Sequence, residues 1–286
     1  MPKQGKVSIQ LHDGSSYIID RPVLNLISQL QLGVRQYILL KKTLDLQADT
    51  NKYTVEFWKV NLEESTFFIP QYAIHRPATV NFLNGKIYEP RTHSFVRNFF
   101  SEISGSMVHA GVFFGDMLPS FSQSVSGMVY AFEPVPENFL MAKLCVEENQ
   151  LANVLLYNAA LSNGYANLKI NTKDPDDGHA GGASEIGETG IYCPTLPIDC
   201  LAATDIVLIQ LDVEGHELIA LQGASATIER CRPVVAIEDN NQNCNAFLLE
   251  RNYELVGEIP GLSIWGPSEN QSYIELTRKL IESPPA

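Results

Sequence analysis

The chain has 286 residues, 45% of them hydrophobic and 19% charged, a composition that supports one large globular domain or two modest ones. Its formal net charge of −13 opposes phosphate backbones, and no run of Lys and Arg gathers the opposite sign, so nucleic acid is not an expected partner. No apolar stretch approaches the ~20 residues of a membrane span, the start MPKQGKVSIQ lacks the apolar centre of a secretory signal, and five cysteines without a CxxC pairing read as free thiols of a cytoplasmic protein.

Residues 1–100 read as an α+β accessory region. KVSIQLHDGSSYIID alternates like a hairpin turning at Asp13-Gly14, and Pro22 opens an amphipathic helix expected to run to about Leu44. TNKYTVEFWKV and STFFIPQYAI follow as strand-like runs, with Pro70, Pro77 and Pro90 punctuating the connections. Over residues 101–286 the rhythm changes to short apolar runs separated by helix-length amphipathic segments, the pattern of a parallel sheet with crossover helices. Strands are expected at 107–112, 127–132, 153–160, 205–211 and 233–238. PENFLMAKLCVEENQL and HELIALQGASATIERC supply helices, and NYELVGEIP with GLSIWGP supplies an antiparallel edge pair. The fold class expected is α/β, a mostly parallel sheet with an antiparallel edge strand.

Open α/β sheets bind ligands outside the carboxyl ends of their strands, so the residues that end each strand carry the information. The first strand ends in HAGVFFGD, where Gly111 and Gly115 allow a tight turn close to a ligand. The second ends in AFEP, placing Glu133 to accept both hydroxyls of a ribose. The spacing is GxxxG rather than the GxGxxG of dinucleotide sites, which suits a cofactor with a ribose and no pyrophosphate. On the plainer reading, the glycines only permit helix packing and Glu133 only complements the dipole of the next helix.

Taken together, HAGVFFGD, YAFEPVPENF, LLYNAALSN, IQLDVEGHEL and RPVVAIE, spread over residues 88–266, resemble the FkbM-type methyltransferase family. The resemblance implies a Rossmann-like class I methyltransferase fold and S-adenosylmethionine as methyl donor. The acceptor it implies is a hydroxyl of a sugar, glycan or natural product. It places the loop from Gly111 to Gly115, Phe113 included, beside the methionine part of the cofactor, Glu133 on the ribose, and Asn158 and Ala159 near the adenine. Asp212 would face the methyl and amino groups, with Glu214 and Gly215 shaping its turn. The family usually has an acidic residue where this chain has His109, so the support under the glycine loop must differ. Phe113 and Phe114 are bulky for such a loop and either pack inward or cover the methionine chain.

For catalysis the candidates are Asp212 and His216, each able to take a proton from an acceptor hydroxyl. His109, among apolar neighbours, reads as structural, and His179 in DPDDGHAGGASE as part of a loop with the composition of a lid. Asp212, Asp239 and Asn240 also form a hard-ligand set suited to Mg²⁺, like the metal site of catechol-type O-methyltransferases. Alternatively, Asp239 and Asn240 cap the helix beginning near Gln242. Two further readings stay open, a catalytically silent cofactor-binding relative and, disfavoured by the missing GxGxxG, a nicotinamide-dependent oxidoreductase. The N-terminal region is expected to cap the acceptor site or form a homo-oligomer contact, and a fragment starting near Tyr88 is expected to keep cofactor binding.

Overall fold

The computed structural model describes the backbone of residues 6–10, 16–20, 37–44, 53–173 and 183–283, and side chains from residue 56 onward within those ranges. Two strands, β1 (Lys6–Gln10) and β2 (Ser16–Asp20), pair antiparallel as the alternation predicts. The Asp13-Gly14 turn lies outside the described residues. The expected helix is corrected over its last turns, because Tyr37–Leu44 is strand β3; its earlier part, residues 22–36, lies outside the described residues. The run YILLKKTL satisfies a helical pattern equally well, but it finds a partner along its whole length in β4 (Tyr53–Leu62), from Tyr37 opposite Val60 to Leu44 opposite Tyr53. β4 in turn pairs with β5 (Ser65–Pro70), completing a three-stranded meander.

Prolines open the next helices, where their missing N–H is not needed and their fixed φ fits the first turn. They are α1 (Pro77–Leu83), α2 (Pro90–Glu102), α3 (Leu118–Ser124, with Pro119 second) and α4 (Pro136–Glu148). Between and after them run the strands β6 (Ser106–Ala110), β7 (Val129–Phe132) and β8 (Val154–Tyr157). Residues 160–196, where the sequence predicts no strand beyond Ala160, hold β9 (Ala160–Leu161), β10 (Ala166–Asn171), β11 (Glu185–Gly187) and β12 (Ile191–Leu196) in a small four-stranded sheet. The chain then forms β13 (Ile206–Leu211), α5 (Glu217–Gln222), α6 (Ser225–Cys231) and β14 (Val234–Ile237). It finishes with α7 (Asn245–Leu249), β15 (Tyr253–Ile259), β16 (Leu262–Pro267) and α8 (Gln271–Glu282).

The central sheet has seven strands in the order β15-β16-β14-β13-β6-β7-β8. All pairings from β8 to β14 are parallel, and β16 runs antiparallel to both β14 and β15. Its inner strands β6, β13 and β14 are almost wholly buried, and successive residues feed opposite cores. Met107, Leu208, Val234 and Ala236 pack under α2 and α3, whereas Val108, Ile209, Val235 and Ile237 pack under α5, α6 and α7. The strand order reverses between β6 and β13, so the crevice of this α/β fold lies at their carboxyl ends. A third core joins the meander to the sheet domain. In it Phe67 packs edge-on against Phe82 at 4.8 Å, Phe82 against Phe114 at 5.3 Å, and Phe114 lies beside Phe113 in the glycine loop. No helix among the described residues is long and apolar enough to cross a membrane, and all five cysteines are unbridged.

Candidate active site

The strand ends build two adjoining clefts. The first, of about 480 Å³, is lined by Gly111, Glu133, Asn138, Ala159, Asp212 and His216, with Ile170 and Ile186 of the small sheet as one wall. The second, of about 600 Å³, is lined by Arg76, Tyr88, Glu89, Phe113 and Asp116. Gly111, Glu133, Asp212 and Glu214 line both, so the clefts form one crevice around the strand ends.

Glu133 follows β7 and is 4% exposed. Its Oε2 accepts the Phe113 N–H at 2.7 Å, and its Oε1 accepts the Val135 N–H at 2.9 Å and Asn138 Nδ2 at 3.4 Å. Burial outweighs these donors and pushes the carboxyl up to about 7. Gly111, at φ +90°, passes so close to the next strand that a Cβ would lie 2.0 Å from the Asp212 carbonyl oxygen. Gly115 answers to helix packing against Ala142, and it lines neither cleft. Phe113 sits at φ +52°, a conformation that costs a bulky residue, and its N–H is thereby aimed at Glu133.

LDVEGHEL is a constructed turn. Glu214 and Gly215 both take positive φ, and the Glu217 carboxylate accepts the N–H groups of Val213 at 3.0 Å and Gly215 at 3.2 Å. This holds Asp212 over the crevice, where burial first, then a hydrogen bond to Glu238, and then the charges of Glu238, Glu214 and Glu89 keep its carboxyl well above the usual range. His216 lines the first cleft only, with Nε2 3.4 Å from Ser162 Oγ and its pKa lowered by burial.

The other expected residues fall elsewhere. His109 is buried beneath the loop, its Nδ1 donating to Gln210 Oε1, and lines neither cleft. Asn158 acts on the backbone, its Nδ2 donating to the carbonyls of Glu133 at 2.9 Å and Pro134 at 3.2 Å. His179 lies outside the described residues. The metal set is corrected: Asp239 spends its two oxygens on the Asn243 and Cys244 N–H groups at the start of α7, at 3.0 and 2.6 Å, and Asn240 turns to Glu238. Among the described residues no three His, Cys, Asp or Glu are grouped to hold a metal ion, so the side chains do not fit Mg²⁺. Arg76, Tyr88, Glu89 and Asp116 were not expected at the site. They come from the accessory region and the start of α3, where no local motif marks them.

A seven-stranded sheet in this order, with one buried carboxyl after its second parallel strand and another after its fourth, is a Rossmann-like α/β arrangement. The sequence matches the FkbM methyltransferase domain over residues 109–259, more than half of the chain, and the protein belongs to that family. Similar solved structures include an FkbM methyltransferase of Methylobacillus flagellatus at 18% identity and TM-score 0.42, covering 68% of this chain and 55% of that one. A methyltransferase of Geobacter sulfurreducens is 15% identical with TM-score 0.41, covering 68% and 85%. An rRNA methylase of Streptococcus thermophilus is 12% identical with TM-score 0.39, covering 63% and 98%. The chain thus spans little more than half of the first of these. No curated protein matches it.

Proposed function

We propose that the protein transfers a methyl group from S-adenosylmethionine to a hydroxyl of an uncharged small molecule or glycan in the cytoplasm. The observation that carries this reading is the buried Glu133 carboxylate beside a crevice floored by Gly111 and Asp212. A ribose diol fits a two-oxygen acceptor, and the apolar surface of Val135, Ala159, Ile170 and Ile186 fits an adenine. Asp212 and Glu214 suit an ammonium group, and Arg76 a carboxylate, as the two ends of a methionine require. When bound, S-adenosylmethionine supplies an electrophilic methyl on a cationic sulfur.

The acceptor side is supported by charge. Glu89, Asp116, Glu133, Asp212 and Glu214 face the second cleft against the single cation Arg76 among its lining residues, so the lining offers little to hold a phosphodiester and suits neutral or cationic acceptors. Tyr88, held protonated up to about 12 by burial and by Glu89, Asp212, Asp116 and Glu238, lines the same cleft and donates to Glu89. Were the acceptor oxygen to take the methyl as its bond to the sulfonium breaks and neutral S-adenosylhomocysteine is released, the oxygen's proton would have to leave for a carboxylate, and Asp212 would be placed to take it once a cationic ligand favours its ionised form.

Calorimetric titration tests the reading. S-adenosylhomocysteine should bind and NADH should not, and Glu133→Ala should lose about 1.5–3 kcal/mol of binding, the range for a hydrogen bond to a charged group. Unchanged affinity in a folded Glu133→Ala removes the ribose assignment. Binding without turnover on any hydroxyl acceptor would leave the silent relative as the correct description.

A further inference from the structure

The Glu133 carboxylate is linked to the accessory region through the Asn138 amide. Tyr72 lies in the short 3-10 turn Gln71–Ala73 that follows β5, outside the segment that matches the family. Its hydroxyl is 2.7 Å from Asn138 Oδ1, and Asn138 Nδ2 is 3.4 Å from Glu133 Oε1. Asn138 is 1% exposed, and its orientation follows from chemistry alone. A carboxylate only accepts, so the amide must turn its nitrogen to Glu133 and its oxygen to Tyr72, and the phenol must then donate. Asn138 and Glu133 both line the first cleft, whereas Tyr72 does not.

We infer that Tyr72 is a positioning residue for the cofactor, fixing the Asn138 amide so that the Glu133 carboxylate stays ionised and aimed at a ribose. The inference rests on the ribose reading of Glu133. Three donors hold that carboxylate against burial: the Phe113 and Val135 N–H groups and Asn138 Nδ2. Only the last comes from a side chain, and the Tyr72 hydroxyl meets that side chain's oxygen. The charged or titratable groups around this centre are Asp116 from the loop after β6, Glu137 on α4, Cys193 on β12 and Tyr72 itself. Burial and the neighbouring Glu137 and Glu133 keep the Tyr72 phenol protonated, hence a permanent donor.

Without the phenol, the amide oxygen loses the Tyr72 donor and the amide's hold on Glu133 loosens, leaving Glu133 more readily protonated and poorer as an acceptor. Affinity that requires the ionised carboxylate falls as pH drops through its pKa, so that fall moves to higher pH in Tyr72→Phe. At pH 7, Tyr72→Phe in the full chain should bind S-adenosylhomocysteine about threefold to tenfold more weakly, with the deficit closing by pH 9. The 2′-deoxyribose analogue of S-adenosylhomocysteine reports on the same coupling: the parent should discriminate against it strongly and Tyr72→Phe weakly. Asn138→Ala should show the same pH displacement, and adding Tyr72→Phe to it should change nothing more. If the parent binds both ligands equally, the ribose reading is wrong and the relay falls with it. If the parent discriminates and Tyr72→Phe keeps the same discrimination and pH profile, the relay alone is overturned.

Discussion

Asp116 shows how the crevice trades stability for charge. It is 6% exposed, and burial, then the neighbouring Glu89 charge, pushes its carboxyl from 3.8 to about 7, against N–H donors at its own residue and Met117. A raised carboxyl stabilises the fold at low pH and loses that contribution as pH climbs from about 4 towards 7, because the unfolded chain gives up its proton first. Glu133, raised to about 7, works in the same sense. His93 and His109, lowered from 6.5 to about 4 mainly by burial, work in the opposite one: their contribution is complete above 6.5 and is lost as pH falls towards 4. Asp116→Asn keeps an oxygen for the backbone donors and removes the ionisation. Urea unfolding should find it more stable than the parent by on the order of 2–4 kcal/mol at pH 8, the gap closing towards pH 4. A gap that does not change with pH would show that another group carries the titration.

At the scale of elements, the Asp212 turn is the site's most constructed piece, and Glu217 is its fastener. Glu217→Ala leaves the Val213 and Gly215 N–H groups without their acceptor. Unfolding should register a loss of about 1–3 kcal/mol, with S-adenosylhomocysteine affinity reduced as well, and Glu217→Gln should recover part of both. Unaltered stability in Glu217→Ala would mean that the turn holds itself. This motif was readable in sequence because the residues that make the turn also make its contacts, all within Asp212 to Glu217. The inner parallel strands β6, β13 and β14 were readable for a related reason: they are almost wholly buried, so each is a short, mostly apolar run. The small sheet over residues 160–196 gave no such signal. Its strands are two to six residues long and β10 is exposed over its first two residues, so its pairings are set by tertiary contacts. Tyr37–Leu44 misled for the converse reason, since its apolar residues fit a helix and only the presence of β4 selects a strand. Arg76, Tyr88 and Glu89 reach the crevice by the folding of a distant segment, which no local pattern announces.

For the molecule as a whole, the accessory region and the sheet domain share one core, and that changes what truncation should do. Phe57, Phe67, Phe68 and Phe82 on one side meet Phe113, Phe114, Leu140, Met141 and Cys145 on the other, the second group belonging to the glycine loop and α4. Phe114, Met141 and Cys145 are fully buried there. Burying a large apolar side chain contributes roughly 1.5–3 kcal/mol, so uncovering several at once rivals the 5–15 kcal/mol that typically holds a domain together. The β1–β2 hairpin, by contrast, is hydrogen-bonded to no other described strand. A chain beginning at residue 37 keeps the whole meander and should fold cooperatively and bind S-adenosylhomocysteine with the parent's affinity. A chain beginning at residue 88, the cofactor fragment that the sequence suggests, should melt at least 10 °C lower or aggregate, and should bind a hydrophobic dye strongly, because the outer face of α4 and Phe114 would meet water. It also lacks Tyr72, so whatever fraction folds should bind weakly at pH 7. Equal melting temperatures and equal affinities for the two fragments would show that residues 37–87 are a detachable cap after all.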